Sequence, residues 1–340
     1  MIQSYKTDRL DKKTLLINKA LKELGNNKFK CHLCPRNCGV SRYKGEKGIC
    51  GVENLAVVSH SCMHFGEEPC LSGYYDFKED QKTKSFCSGS GAVFFSGCNL
   101  RCNFCQNYQI SWKVSGSPCS SEKLASVFLS LQEQNALNIN LITPTHIIIP
   151  ILESLRIAFA NGLSIPLVYN TSAYENLKVL SKLTGIIDIY LPDLKYFRTE
   201  TAKRFSNAPD YPEKAKDAVK EMYRQVGNLE LDSEGNAKGG LIVRHLILPG
   251  YAEEACEILD WIAANLSNKV CLSLMSQYFP CNEIMEDINR GISADEYNTV
   301  LDKAVKLGFE NVYIQSNSFQ PEDHLIPDFE RRDVFTWNQD

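Results

Sequence analysis

The stretch Ala92-Val93-Phe94-Phe95 is followed, two residues on, by Cys98-Asn99-Leu100-Arg101-Cys102-Asn103-Phe104-Cys105. The first part is short, aromatic, β-branched and bounded by glycines, and so reads as a buried strand. The second part is a loop carrying three cysteines spaced C-x3-C-x2-C. α/β folds place their chemistry where a strand gives way to such a loop. Three thiolates on one tight loop can hold three irons of a cubane cluster, whereas an ordinary electron-carrying cluster takes four protein ligands. A site short by one ligand binds something else, as catalytic zinc sites do at their open position.

Working outward, the pattern after Ala92 alternates. Helices are expected over 121–136, up to Ala160, near 174–183, 200–227, 252–265 and near 294–307. Strands are expected at Asn138–Ile142, Pro166–Tyr169, Ile186–Tyr190, Leu241–Ile247, Val270–Leu274 and Asn311–Ile314. Alternation of this kind means a parallel sheet. Six βα units and a final short strand are too few for a closed eight-stranded barrel. The expected fold class is therefore α/β, a partial, open-sided (β/α)6 barrel with a small Cys-rich N-terminal region. The expected division is 1–90 for the Cys-rich region, 91–318 for the barrel and 319–340 for a tail that wraps the surface. The spacer Ser88-Gly89-Ser90-Gly91 marks the first boundary. A charged helical lead-in at 7–30 places Leu10, Leu15, Ile17 and Leu21 near one face.

The cysteines are unevenly distributed. Of 14, eleven lie between Cys31 and Cys119, and only Cys256, Cys271 and Cys281 follow. The N-terminus lacks the apolar core of a signal peptide, so metal ligation is favoured over disulfides and the expected location is cytoplasmic. Cys31, Cys34, Cys38 and Cys50, with glycines between them, suit a closed four-thiolate site, and zinc and a second iron–sulfur cluster both fit. Cys62, Cys70 and Cys87 stand alone and read as small buried hydrophobes. His64, in the polar run to Pro69, reads as a hydrogen-bonded structural histidine. With a net charge of −4 and a pI near 5.9 there is no basic footprint for nucleic acid. No apolar run reaches membrane-spanning length.

The C-terminal edges of the strands carry a polar set: Thr143-Pro144-Thr145-His146, Asn170-Thr171-Ser172, Asp193-Leu194-Lys195, Arg244-His245 and Met275-Ser276-Gln277-Tyr278. Taken singly, Asp193 and Lys195 also read as a solvated pair and His245 as a core histidine. Arg244, in an apolar strand, demands a partner anion.

The C-x3-C-x2-C loop after a first strand, with Phe104 before its last cysteine, resembles the radical S-adenosylmethionine superfamily. Asp193-Leu194-Lys195 and Arg244…Leu248-Pro249-Gly250 resemble the glycyl-radical-enzyme activases, typified by pyruvate formate-lyase activating enzyme. A related branch shares the motif at Cys31–Gly39, Gly97–Asn107 and Thr143–His146; the likeness covers roughly residues 30–315. It implies a 4Fe–4S cluster on Cys98, Cys102 and Cys105 whose open iron chelates S-adenosylmethionine. It also implies one-electron cleavage to methionine and a 5′-deoxyadenosyl radical. Thr143, Thr145, His146, Asn170, Asp193, Lys195 and Arg244 then line the cofactor, with Lys195 or Arg244 meeting its carboxylate. The implied partners are a reductant such as flavodoxin or ferredoxin and a protein or peptide substrate. The chain departs from the activases where they carry Gly-Gly-Glu, having Thr143-Pro144-Thr145-His146, so no carboxylate stands there for the methionine amino group. Two other readings remain: radical chemistry on another substrate with an auxiliary cluster at Cys31–Cys50, and a non-catalytic iron–sulfur or zinc scaffold.

Overall fold

The computed structural model describes residues 2–73, 88–283, 285–315, 326–331 and 334–335, without the side chains of residues 2–9. Cys87 and the greater part of the tail lie outside the described residues. In chain order the elements begin with α1 (Ile2–Leu24), β1 (Ala56–His64), α2 (Pro69–Ser72), β2 (Ser90–Phe95), α3 (Tyr108–Ser111) and β3 (Ser117–Cys119). Then come α4 (Ser121–Glu133), β4 (Ile139–Ile142), α5 (Ile148–Ala160), β5 (Leu167–Thr171), α6 (Leu177–Leu180) and β6 (Ile189–Pro192). The rest is α7 (Thr199–Ser206), α8 (Tyr211–Val226), β7 (Glu230–Leu231), β8 (Ala237–Leu246), α9 (Ala252–Asn265), β9 (Cys271–Met275), α10 (Ala294–Lys306) and β10 (Val312–Ile314).

Every residue of β2, β4, β5 and β6 is buried, as expected for strands covered on both faces. They lie in the order β10-β9-β8-β6-β5-β4-β2-β1-β3, parallel from β2 through β10. Among the described residues the two ends do not pair, so the sheet is a partial barrel. The helix limits agree closely with expectation for α4, α5, α9 and α10. Ser120 caps α4 by accepting from the Lys123 amide, the hydrogen bond a serine before the first turn can make.

Three strands were not expected. β1 runs antiparallel to β2, with His64 opposite Ser90, and β3 pairs with β1. The Cys-rich region therefore extends the sheet and covers the β2 edge, which would otherwise present unpaired backbone groups. β7 adds a short antiparallel pairing to β8. In α1 the buried face is Lys13, Ile17, Ala20 and Leu24, an i, i+4, i+7, i+11 stripe, while Leu15 is 70% exposed. Lys13 takes its place there by pairing with Asp188 at 2.6 Å. Of the expected surface wrap only residues 326–331 and 334–335 are described, and two of these pack inward. Val334 and Phe335 are buried, and Phe335 meets the rings of Phe94, His64 and Phe329.

Side chains alternate across each strand. Val93, Phe95, Leu141, Tyr169, Tyr190 and Val243 join the large core beneath the helices. Val168, Ile189, Leu191, Ile242 and Cys271 face inward, where Cys70 and Leu71 of α2 pack on them. By the same alternation Asn140, Asn170, Asp193, Arg244 and Ser273 fall on the inner face. Among the described residues, no helix is long and apolar enough to cross a membrane.

Candidate functional site

The strand β2 delivers the cysteine loop through Ser96 and Gly97, and aromatic packing sets its path. The Phe104 ring lies edge-on against Tyr196, Phe205 and Tyr278. The Asn103 amide donates to the Phe205 carbonyl at 2.9 Å, and Asn99 Nδ2 donates to the Tyr174 carbonyl at 2.7 Å. Each sulfur has a polar neighbour. The Leu100 amide donates to Cys98 Sγ at 3.3 Å, and the Ser206 hydroxyl donates to Cys102 Sγ at 3.1 Å. Cys105 Sγ and the Ser111 hydroxyl are 3.2 Å apart. Burial pushes the Cys98 thiol up, and neighbouring Cys102 adds to the effect. Cys105 is pushed up to about 11, again by burial first and Cys102 second. Such thiols keep their protons until a cation replaces them. Both amide atoms of Asn103 are buried without a partner among the described residues.

Lys195 stands beside this loop. Burial opposes its charge, but Asp193 and then Cys102 hold its value above the ordinary lysine range. Lys195 Nζ bonds Asp193 at 2.7 Å. Tyr211 fixes the turn: its hydroxyl accepts from the Lys195 amide at 2.9 Å and donates to the Asp193 carbonyl at 2.8 Å. Thus the loop cysteines after β2 and the Asp193–Lys195 pair after β6 meet at one rim, and Asn170, near the end of β5, shares their face. The donor set fits a 4Fe–4S cluster: three thiols on one loop, a cation beside them and an orphaned buried amide between two of them. A fourth cysteine, Cys281, lies near Cys105 with its thiol toward the Phe104 carbonyl at 3.5 Å; nothing in its sequence surroundings signals that.

Other rim residues have different duties. Arg244 finds its anion within the chain: it bonds Glu68 at 2.7 and 2.6 Å, and Glu67 as well. Thr145 Oγ1 donates to Glu175 at 2.5 Å and lies 3.3 Å from Thr171 Oγ1. That network sits on the helix side of β5, with Tyr169 donating to Glu175 at 3.4 Å. His146 is fully buried, with Nε2 2.9 Å from the Ser96 carbonyl, so it props the turn into the cysteine loop. Burial pushes it down to about 4, which keeps it neutral. His245 is likewise a core histidine, 2.7 Å from the Leu194 carbonyl and pushed down to about 4 by burial. His64 is buried with Nδ1 3.7 Å from Glu67. Thr143 adopts φ +61, a strained conformation for a β-branched residue, at the C-terminal edge of β4. Glu67, Glu68 and Glu175 are functional-looking groups that lie away from any strand edge in sequence, and no local pattern singles them out.

No family model matches the chain. The uncharacterized protein MJ0674 of Methanocaldococcus jannaschii is 29% identical over 304 residues, covering 86% of this chain and 79% of that protein. A second protein of the same organism, MJ0808, is 35% identical over 92 residues, 26% of each chain. Among solved structures, Streptococcus suis SuiB bound to S-adenosylmethionine aligns with a TM-score of 0.46 at 13% identity. That alignment covers 64% of this chain and 48% of SuiB, so the chain spans about half the length of that protein. The native anSMEcpe structure with bound AdoMet gives a TM-score of 0.45 at 13% identity, over 65% of this chain and 61% of that one.

Proposed function

We propose that the chain is a radical S-adenosylmethionine enzyme in which Cys98, Cys102 and Cys105 hold a 4Fe–4S cluster. The observation that carries this reading is the meeting of three thiols from the loop after β2 with Lys195 from the turn after β6. Three thiolates leave one iron for another ligand, and an ammonium beside them suits the carboxylate of a bound amino acid. Lys195, steadied by Asp193 and Tyr211, is the group to bind that carboxylate, and Asn170 lies on the same inner face. When bound and reduced by one electron, the cluster supplies the electron that cleaves the sulfonium of S-adenosylmethionine. Thr143, Thr145 and His146 shape the rim from behind it, and Arg244 anchors Glu67 and Glu68 inside the barrel.

The substrate class is a protein or peptide entering across the unclosed side of the sheet, and the reductant is a flavodoxin or ferredoxin. The likeness of Asp193-Leu194-Lys195 and Arg244…Pro249-Gly250 to the activases supports an activating-enzyme-like oxidoreductase. To test the core of the proposal, the chain is reconstituted anaerobically and given dithionite and S-adenosylmethionine. 5′-Deoxyadenosine should form, and Cys102→Ala should reduce it to background because two thiolates cannot hold the cluster. A chain that retains four irons yet yields no 5′-deoxyadenosine would be a scaffold. The finer reading is checked by electron paramagnetic resonance with glycyl radical enzymes, where a glycyl doublet is expected.

A further inference from the structure

The four upstream cysteines come together around a point of their own. The Cys31 amide donates to the Val40 carbonyl and the Gly39 amide to the Cys31 carbonyl, both at 2.9 Å, which folds Cys31–Val40 back on itself. Asn37 and Gly39 turn this hairpin with φ +49 and +67. Cys50 arrives from a second turn, closed by Gly51 donating to the Gly48 carbonyl at 2.9 Å. Gly48 is pressed so near Cys38 that a Cβ there would lie 3.1 Å from its sulfur. Cys31, Cys34, Cys38 and Cys50 line one cavity, with Arg42 beside them.

Arg42 is the independent observation. It is 6% exposed, and its guanidinium donates to Cys31 Sγ at 3.2 Å, Cys50 Sγ at 3.0 Å and the Glu53 carbonyl at 3.2 Å. Among the described residues it has no carboxylate partner. A buried arginine needs an anion, and neutral thiols are not one. Four thiolates around a divalent ion carry a net charge of −2, which supplies it.

We propose that Cys31, Cys34, Cys38 and Cys50 bind one zinc ion and that Arg42 is the fixed counter-charge of that site. A closed set of four cysteine thiolates is the donor set of a structural zinc site. Binding is a proton exchange: four thiols release four protons as the ion enters, and nothing is oxidised or reduced. Among the described residues no three such side chains already stand in ligating geometry around one point, so the ion draws the sulfurs inward. The inference does not rest on the reading of Cys98–Cys105.

The test is metal content of the full chain after dialysis against a chelator of moderate strength. One zinc per chain is expected, and Cys34→Ser with Cys50→Ser should remove it. Arg42→Gln should weaken zinc binding 10- to 100-fold, as loss of an outer partner does. An unchanged affinity in that variant would overturn the role of Arg42. Should the double variant fail to fold, the wild-type chain is stripped of zinc and titrated with cobalt(II). The intense visible bands of a tetrahedral tetrathiolate are expected, and their absence overturns the site. Iron in place of zinc, lost with Cys34 and Cys50, would overturn it too. Loss of iron in Cys102→Ala bears only on the proposed function.

Discussion

At the scale of the residue, Glu175 shows how tertiary structure makes a titrating group from an unremarkable position. Burial pushes its carboxyl from 4.5 up to about 7, against hydrogen bonds from Thr145, Thr171 and Tyr169 that favour the charged form. A carboxyl with a raised folded-state value holds its proton more tightly when folded. Stability from this group is therefore present below pH 4.5 and lost as pH climbs towards 7. Between pH 5 and 8 the loss amounts to about 2 to 3 kcal/mol. Glu175→Gln should remove it, so urea unfolding of variant and wild type should diverge by that amount over the interval. A difference that stays constant with pH would mean the carboxyl is already ionised. Arg244 makes the complementary point: the sequence demands an anion for it, and the chain supplies two of its own.

At the scale of the element, the cysteine loop is held by the upstream turns as much as by its own strand. Arg36 Nε donates to the Asn99 carbonyl at 2.8 Å, and Arg101 donates to the Ile49 carbonyl at 2.7 Å. Gly97, at φ +79, lets the two segments touch: a Cβ there would lie 2.3 Å from the Cys50 carbonyl oxygen. Gly97→Ala must move backbone, since no flexible side chain is there to give way. Strain of this kind costs on the order of 1–3 kcal/mol before any clash. The variant should unfold at lower temperature and retain less iron per chain than wild type. Normal iron content with an unchanged melting temperature would show that the two segments are not coupled.

At the scale of the whole molecule, the sheet is finished by segments distant in sequence. β1 and β3 cover one edge, α2 fills the inner face with Leu71, and Phe335 closes over Phe94. Phe335→Ala should cost about 3 kcal/mol, as truncating a buried phenylalanine does, read as a shift in the urea midpoint. An exposed wrap would lose almost nothing. The βα alternation, the α4 cap and the C-x3-C-x2-C loop were legible in the sequence because periodicity and ligand spacing are local. β1 was not, since Ala56–His64 earns its strand only by pairing with β2. On α1 the expected Leu10, Ile17 and Leu21 pack on the core and Leu15 does not; Lys13 was not legible there, since it is tolerated inside only because Asp188, 175 residues away, meets it. The amino-acid sequence alone determined the strand-to-loop order and the type of each candidate ligand. Which rim residues face the cysteines, as Lys195 does, and which are absorbed by the chain's own charges, as Arg244 is, was decided only in three dimensions. Burial makes every polar group take a partner, and the partner is chosen by proximity in space.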